Sequence, residues 1–531
     1  MGSDDSQGAT DALRHLGSAC SVQGACLLAV CCREWPRRRA VTTGQKGIVV
    51  FVDVVVVGAG PGGLACAHTV VRQSAGRRVL LLEAGRGLRS RPCPVDRGLR
   101  CTGCAGICNV ISGFGGCVHY GDGVKLSLLP SGRRLIDHFG GDRARVLCER
   151  AFAFLTAPLA QPPVLRGTGL GAPVVTAFAG HGLAIREYPV AVLAETQVRN
   201  MLTALHGGGG DALTVWEKSE MVGVAVTGDR LTVTVARPGG PVTVEAGRLV
   251  LATGRHGVTS IGNLLAAFGV STIAPDMSLG VRLETRAEVL AAIGVEHPDL
   301  KITQLEQVDR KTKTFCFCGG PNGGRIKFTN YQGAFGAPVI TLDGHETTER
   351  VAGARPLAAN FGLLCQIARP GTSADVRAEI LSDYWQLSGG RPVAQGLRAF
   401  ESRTAEPRSW PQLAAAVTFE PSVTDVRTAR LDRLFTGAEH ASLVEGFRRV
   451  MGAILDHDGA GVSVDDLADD VLVIGPEIEF LWDRVPVTAD CQLPGLPIFV
   501  VGDAAGIAQG IVQAAMMGIA AGDAITTGLS T

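Results

Sequence analysis

The sequence lacks an excess of charge of either sign, because 50 Lys and Arg residues balance 50 Asp and Glu residues. Nucleic acids and anionic membrane surfaces select basic proteins, so this balance gives no reason to expect either partner. Long apolar runs are missing as well, and none approaches the roughly twenty residues that a membrane-spanning helix needs. We therefore expect no nucleic-acid partner and no membrane association.

A convincing secretory signal is also missing. The chain begins with a polar stretch, followed by a short apolar run at 25–32 and three arginines at 37–39. The run is too short, and its basic residues lie on the wrong side, for a typical signal peptide. Met1, Gly2 and Ser6 fit an N-myristoylation pattern, but so short a pattern often arises by chance. We interpret residues 1–47 as an extension that is disordered or not native to the protein.

Cysteine is plentiful, with fifteen residues that are often clustered. In a long chain without a secretory signal, free thiols, metal ligands or redox groups are more common than a disulfide scaffold. This predicts a reducing, cytoplasmic setting. Cys93, Cys101, Cys104 and Cys108 could hold zinc or an iron–sulfur cluster. Their spacing matches no standard structural zinc pattern, so a redox dithiol and ordinary thiols stay open, and no metal is assigned.

Another pair, Cys316 and Cys318, lies in a stretch that is predicted to be a strand. Side chains two residues apart on a regular strand share a face but diverge, so a disulfide between them would be strained. We interpret this pair as lining one face of the strand.

Residues 51–85 carry the most informative pattern. Four valines at 54–57 predict a strand buried on both faces, and they lead directly into GAGPGG at 58–63. A helical stretch follows, and then a second apolar strand at 79–82 that ends at Glu83. A strand, a G-x-G-x-x-G, a helix, a strand and a terminal acid in this order indicate a site for the ADP half of a dinucleotide.

Each part of this pattern has a physical role. Gly58 permits the tight turn, Gly60 lets a pyrophosphate approach the backbone, and Gly63 lets the helix pack closely on the strand. The helix N-terminus offers free N–H groups and the positive end of its dipole to the phosphates. Glu83 lies where a carboxylate can accept hydrogen bonds from ribose hydroxyls.

Three further segments are expected to reach the same dinucleotide. A glycine-rich loop follows the second strand, where backbone N–H groups can approach a pyrophosphate. A β-meander ends in an apolar strand and ATG at 252–254, and near the C-terminus a strand runs into a Gly-Asp turn and a helix. The residues predicted to contact the cofactor are Gly58, Gly60, Pro61, Gly63, Glu83, Ala84, Arg86, Gly115, Gly116, Val222, Thr253, Gly254, Gly502, Asp503, Gly510, Ile511 and Val512.

The chain resembles the glutathione-reductase-type FAD flavoprotein superfamily in three motifs, which are GAGPGG followed by Glu83, then ATG, and then VGDAAG at 501–506. More narrowly, CTGCAGICNVISGFGG, GVRLE, TFCFCGG and GDAAGIAQGIVQAA are similar to the group of uncharacterised FAD-dependent dehydrogenases. The resemblance covers about 49–525 and implies FAD in an extended pose. It places Gly58, Gly60, Gly63 and Glu83 at the ADP part, and Asp503 with 510–512 at the ribityl chain and ring.

One loop departs from the pattern of that group. Where the group commonly has Gly-x-Phe-Ser-Asp-Gly-Lys, this chain reads CVHYGDGVK at 117–125. The extra residue before Lys125 implies altered substrate or flavin contacts.

The predicted fold class is α/β. It comprises a Rossmann-like FAD-binding domain with a three-layer parallel sheet and a β-meander, and an inserted mixed α/β substrate domain. The expected FAD-binding domain comprises 48–160, 206–260 and 490–531, and the expected substrate domain comprises 161–205 and 261–489. A second G-x-G-x-x-G is missing from any strand–helix setting, so no separate NAD(P)H domain is predicted.

The predicted function is hydride transfer between flavin N5 and a small organic substrate. Candidate catalytic residues are His119, Tyr120, Lys125, Arg282 and Glu477. Electrons would come from the substrate, from transiently bound NAD(P)H, or from a protein donor. The alternatives are a flavin monooxygenase, a double-bond reductase resembling geranylgeranyl reductases, and an electron-transfer or redox-sensing flavoprotein with a metal or dithiol centre in the Cys93–Cys108 region.

Overall fold

In the computed structural model, the described residues are 49–95, 99–104, 107–120, 122–228, 230–258, 260–305, 310–349, 353, 355–459, 461–479 and 482–529. The predicted N-terminal extension at 1–47 lies outside these ranges, and so do the side chains of His119 and Tyr120. No helix in the described ranges is long and apolar enough to cross a membrane.

The strands and helices follow in chain order. The strands are β1 (Val49–Val57), β2 (Val79–Leu82), β3 (Val124–Ser127), β4 (Leu165–Arg166), β5 (Leu183–Ile185), β6 (Val190–Leu193), β7 (Leu213–Trp216), β8 (Glu220–Thr227), β9 (Arg230–Ala236), β10 (Val242–Leu251), β11 (Ser278–Arg286), β12 (Ile302–Gln304), β13 (Thr312–Cys318), β14 (Gly324–Asn330), β15 (Ile340–Glu346), β16 (Ala358–Gln366), β17 (Val393–Gly396), β18 (Arg427–Thr428), β19 (Leu472–Glu479) and β20 (Ile498–Val500). The α-helices are α1 (Pro61–Gln73), α2 (Arg133–Phe139), α3 (Gly141–Thr156), α4 (Ala172–Gly180), α5 (Glu195–Gly207), α6 (Ser260–Ala267), α7 (Ala287–Glu296), α8 (Gln332–Phe335), α9 (Ser373–Ser388), α10 (Leu397–Glu401), α11 (Trp410–Ala416), α12 (Gly437–Asp458), α13 (Val464–Leu467) and α14 (Ile511–Leu529).

The first sheet has the strand order β7-β2-β1-β10-β9-β8, and β20 also pairs with β10. Strands β7, β2, β1, β10 and β20 run parallel, whereas β8, β9 and β10 form an antiparallel meander. Strand β10 belongs to both parts, because 242–246 pair with β9 and 249–251 pair with β20. This confirms the predicted meander that leads back into a parallel sheet.

Valines fill the centre of this sheet, as their run in the sequence predicts. Val54 to Val57 of β1 are at most 8% exposed, because the strand has β2 on one side, β10 on the other and packed side chains above and below. Helices α1 and α14 pack on each other in the same core. The helix pair and the parallel strands therefore meet at the turn that carries the glycines.

A second sheet has the order β13-β16-β11-β19-β17-β18 and is mainly antiparallel. Its own apolar core includes Leu443, Phe447, Val450 and Ile454 of helix α12. Smaller sheets pair β12 with β5, β14 with β15, and β3 and β4 with β6. The predicted fold class, a Rossmann-like domain with a mixed α/β domain, is confirmed.

The packing of 190–207 differs from the expected domain boundaries, which place 161–205 in the substrate domain. Leu193 of β6 and Val198, Met201 and Leu205 of α5 are buried in the core of the first sheet. An amphipathic helix shows in the sequence that it buries one face, but not which sheet receives that face. The boundaries themselves stay a prediction.

The close approach of helices α1 and α14 requires that Gly518 has no side chain. An added Cβ at this position would overlap the carbonyl oxygen of Gly62 in α1. Backbone cannot move aside as a side chain can, so we expect Gly518→Ala to lower the free energy of unfolding by about 1–3 kcal/mol. Urea denaturation measures the change.

The matched control is Gly528→Ala in the same helix, where an added Cβ would meet no described atom within 4 Å. Alanine is also the better helix former, so this variant should be at least as stable as wild type. Equal losses in both variants would contradict the proposed close packing of the helices.

Candidate functional site

A cavity of about 2040 Å³ lies between the two sheets. Of the predicted cofactor contacts, those in its wall are Gly58, Gly60, Pro61, Glu83, Ala84, Gly116, Val222, Thr253, Gly254, Gly502, Asp503, Gly510 and Ile511. The remaining ones, Gly63, Arg86, Gly115 and Val512, do not line it. Among the candidate catalytic residues, Lys125 and Glu477 line the cavity, while Arg282 lies behind its wall. The sequence-distant motifs are thus brought to one place.

The three glycines of the first motif occupy different surroundings. A Cβ on Gly58 would overlap the Ala252 carbonyl oxygen, and one on Gly63 would overlap the Gly58 carbonyl oxygen. A Cβ on Gly60 would meet nothing closer than the Gly116 Cα atom, 3.9 Å away. Two glycines therefore allow close backbone packing, and the third faces open space.

This open space lies at the N-terminus of a helix. Gly60 is the N-cap residue of α1, Pro61 is in the first turn, and no described side chain caps the helix or adds an acid there. The N–H groups of the first turn and the positive end of the helix dipole are therefore available to an anion. Nearby, the buried hydroxyl of Thr253 has no hydrogen-bond partner among the described residues. Both features suit a polar, negatively charged ligand.

Glu83 joins three loops at the end of β2. Its Oε2 atom accepts a hydrogen bond from the backbone N–H of Ala59 at 2.9 Å. Its Oε1 atom accepts from the N–H groups of Gly85 and Gly113 at 2.7 and 2.8 Å. The carboxylate is 5% exposed and lines the cavity. Glu83 therefore holds these loops together at the cavity wall, in addition to its predicted contact with a ribose.

Arg91 holds the glycine-rich loop that follows. Its guanidinium is buried and donates to the backbone carbonyls of Asn109, Val110, Phe114 and Gly116 at 2.7–3.2 Å. These charge-assisted bonds fix the loop against Gly60. The sequence analysis missed this role, because nothing in a basic, loop-like stretch shows which arginine turns inward.

Arg255, directly after the ATG motif, links the two sides of the cavity. Its Nε atom lies 3.4 Å from Asp503 Oδ2, and its Nη1 atom lies 3.1 Å from Asp343 Oδ2 on β15. Burial alone would lower the pKa of Arg255, but the two carboxylates raise it. Burial raises the pKa of Asp503, whereas Arg255 holds the pKa of Asp343 below its ordinary value despite burial. Asp343 is thus the firmly ionised partner.

Arg282 and Glu477 form a buried pair on neighbouring strands of the second sheet. Arg282 Nε donates to Glu477 Oε2 at 3.0 Å, and Nη1 donates to Asn360 Oδ1 at 2.8 Å. Arg282 Nη2 has no hydrogen-bond partner in the described part of the chain. Burial raises the pKa of Glu477 to about 7, although Arg282 opposes the shift. Glu477 can therefore exchange a proton near neutral pH.

Lys125 lies beside the same sheet. Its ammonium group donates to the Phe317 carbonyl and lies 3.5 Å from both Glu346 Oε2 and Cys318 Sγ. Burial alone would lower the pKa of Lys125, but the neighbouring Cys318 and Glu346 raise it well above its ordinary value. Lys125 is thus a fixed positive charge and a poor proton donor at neutral pH.

The candidate metal ligands lie away from the cavity wall. Cys108 is buried, and burial raises the pKa of its thiol to about 11. Asn330 donates a hydrogen bond to the Cys101 sulfur at 3.4 Å. Within the described ranges, no three His, Cys, Asp or Glu side chains are grouped so as to hold a metal.

Comparisons with known proteins agree with a nucleotide-binding first domain. Residues 56–105 match the family model of an NAD(P)-binding Rossmann-like domain. No curated protein matches the chain.

Solved structures that match the chain include proteins named as an oxidase, a monooxygenase and a reductase-like protein. A pyridoxine 4-oxidase from Mesorbium loti is 16% identical, with 90% of this chain and 99% of that chain covered and a TM-score of 0.42. A p-nitrophenol 4-monooxygenase from Pseudomonas putida DLL-E4 is 13% identical, with coverages of 90% and 80% and a TM-score of 0.34. A geranylgeranyl bacteriochlorophyll reductase-like protein from Thermoplasma acidophilum is 14% identical, with coverages of 91% and 79% and a TM-score of 0.34. At these identities and TM-scores, the likeness says nothing about the reaction.

The contacts of Arg91 predict that lysine cannot replace it. A single ammonium group cannot reach both ends of the loop as the planar guanidinium does. We expect Arg91→Lys to lower the free energy of unfolding by about 2 kcal/mol or more, because hydrogen bonds to charged groups are worth about 1.5–3 kcal/mol each. Denaturation curves and proteolysis of the loop measure the effect. Arg89→Lys, at an exposed neighbouring position, is the control, and equal losses in the two variants would refute the role of Arg91.

Proposed function

We propose that the protein is an oxidoreductase that uses FAD and acts on a small organic substrate. One observation carries the proposal. The open space at Gly60 belongs to the same cavity as Glu477, an acid with a near-neutral pKa on the opposite wall. A dinucleotide anchored at the first would extend towards the second, where a substrate needs a group for proton transfer.

The residues in the cavity fit FAD. The N-terminus of α1 at Gly60 would hold the pyrophosphate, and Glu83 would hold the ribose. Asp503 would bind the ribityl chain, and the N-terminus of α14 after Gly510 would face the ring. The Thr253 hydroxyl, which has no hydrogen-bond partner among the described residues, supports the same assignment. When bound, FAD supplies the centre that takes or gives the hydride.

The side chains of the second sheet would handle the substrate. Glu477 Oε2 is held by Arg282, so a proton would be taken from the substrate at Oε1. Arg282 orients that carboxylate and keeps it partly ionised near neutral pH. Phe335, Trp385 and Trp482 contribute apolar surface to the same cavity. These groups suit an organic substrate that loses a proton as it is oxidised.

The source of the electrons belongs to the proposal as well. Transient NAD(P)H, the substrate itself or a redox protein could exchange electrons with the flavin. Reduction by the substrate alone would support a dehydrogenase. Oxygen consumption tied to hydroxylation, or saturation of a carbon–carbon double bond with NAD(P)H, would instead support the monooxygenase or the double-bond reductase.

The cofactor is tested by visible absorption of the purified protein before and after denaturation. We expect two flavin bands and release of FAD, identified by its mass. In Gly60→Val the side chain would enter the open space, so we expect loss of the flavin bands from a folded protein. A colourless wild-type protein that cannot be reconstituted with FAD would overturn the proposal.

Gly171→Val is the matched control, because Gly171 is also the N-cap residue of a proline-containing helix, α4. An added Cβ there would meet Pro173 at an ordinary 3.5 Å. This variant should keep both its fold and its flavin. Loss of flavin from both variants would show that the effect is not specific to Gly60.

The role of Glu477 predicts a pH dependence. Only the ionised carboxylate can accept a proton, so kcat/KM for a screened substrate should rise as pH increases through about 7. Glu477→Gln should remove that rise and lower kcat/KM by about 10²–10⁴-fold. Glu288→Gln, at an exposed glutamate that is 67% accessible, should leave the profile unchanged. An unaltered profile in Glu477→Gln would exclude Glu477 as the base.

A further inference from the structure

The strand that carries Cys316 and Cys318 is irregular at these two residues. The register of β13 against β16 shifts between Phe315 and Cys318, which is the pattern of a β-bulge. Cys316 adopts a φ of +46°, a left-handed conformation that residues with a side chain rarely occupy. The divergence of side chains expected for a regular strand therefore does not apply, and Cys318 Sγ turns back towards Cys316, 3.3 Å from its carbonyl oxygen.

The two sulfur atoms differ in access. Cys316 is partly exposed and lines the cavity, whereas Cys318 is fully buried behind it. Cys316 Sγ lies 3.0 Å from the Gly344 carbonyl, and Cys318 Sγ lies 3.3 Å from the Cys316 carbonyl. A molecule in the cavity can therefore reach the first sulfur but not the second.

Fixed charges distinguish the two thiols further. The neighbouring Cys318 thiol is the main reason that the pKa of Cys316 lies below its ordinary value, with help from Lys125 and Arg282, against burial and Asp343. Burial raises the pKa of Cys318 well above its ordinary value. Cys117, the other cysteine in the cavity wall, has its pKa raised to about 11 by burial. Cys316 is thus the thiol in this wall that is most easily ionised and attacked from the cavity.

We propose that Cys316 and Cys318 form a redox-active dithiol that exchanges with the disulfide bond of a small organic disulfide in the cavity. The Cys316 thiolate attacks one sulfur of the disulfide, forms a mixed disulfide and releases one thiolate, which takes a proton from water. Cys318 loses its proton to water and attacks Cys316 Sγ. The second thiolate leaves and takes up a proton, and the Cys316–Cys318 disulfide remains. The pair is oxidised by two electrons, and one disulfide becomes two thiols.

The buried positive charge of Lys125 supports the second step. Its Nζ atom lies 3.5 Å from Cys318 Sγ and would stabilise the thiolate that attacks. Arg282 donates to the Cys316 carbonyl at 3.1 Å and holds the bulge in place. This exchange requires no flavin, so its test does not depend on whether the proposed cofactor binds.

The test uses the aromatic disulfide DTNB with the purified full-length protein, followed by tryptic mass mapping of the peptide between Lys313 and Arg325. In wild type we expect a peptide that lacks two hydrogens, which marks the internal disulfide. In Cys318→Ser we expect the probe to stay attached to Cys316, with one fewer thiolate released per chain. In Cys316→Ser we expect Cys318 to stay reduced and unmodified.

Cys117→Ser is the control in the same cavity wall, and it should behave as wild type. A wild-type peptide that remains fully reduced while other cysteines react would overturn the proposal. A stable probe adduct on Cys316 in wild type would overturn it too, because it would show that Cys318 does not resolve the mixed disulfide. If Cys316→Ser does not fold, the contrast between wild type and Cys318→Ser still decides the question.

Discussion

The close approach of backbone segments at the carboxyl ends of β1 and β10 is the constraint on which the site depends. Gly58, Gly63 and Gly518 each lie where a Cβ would overlap a carbonyl oxygen. Side chains at these positions would move α1 away from the sheet and from α14. The helix N-terminus would then no longer face the cavity. The lack of side chains at these glycines therefore lets backbone N–H groups face the cavity, where they can bind an anion.

Charged side chains then secure the loops that these glycines make possible. Glu83 accepts from three backbone N–H groups of the described residues, and Arg91 donates to several nearby carbonyls. Loops rich in glycine have much conformational entropy to lose, and internal hydrogen bonds to buried charges offset that loss. Arg255 extends the arrangement to the second sheet through Asp343. Both walls of the cavity are therefore connected by directional contacts as well as by apolar packing.

The sequence alone predicts the parts of this arrangement that are local. The valine run, the glycine spacing and Glu83 predict β1, α1 and β2. Hydrophobic periodicity and turn residues are local features, so a short stretch of sequence is enough to show them. The β-meander is predicted by alternating apolar and polar residues. Its last strand is predicted to rejoin the parallel sheet because that strand is continuously apolar. The partners of Arg91 and Arg255 could not be predicted, since they are set by which loops meet in space. The sheet that receives α5 could not be predicted for the same reason.

The bulge at Cys316 is a further feature that could not be predicted from the sequence. Alternation predicts a regular strand for TFCFC, and only the pairing of β13 with β16 reveals the register shift at these residues. The same sheet buries Arg282 and Glu477, although a buried ion pair is often no more stabilising than apolar residues of equal size. A strained cysteine and a buried ion pair both cost stability, and both lie at or behind the cavity wall. Packing alone would favour neither of them, so their position is best explained by chemistry that takes place in the cavity.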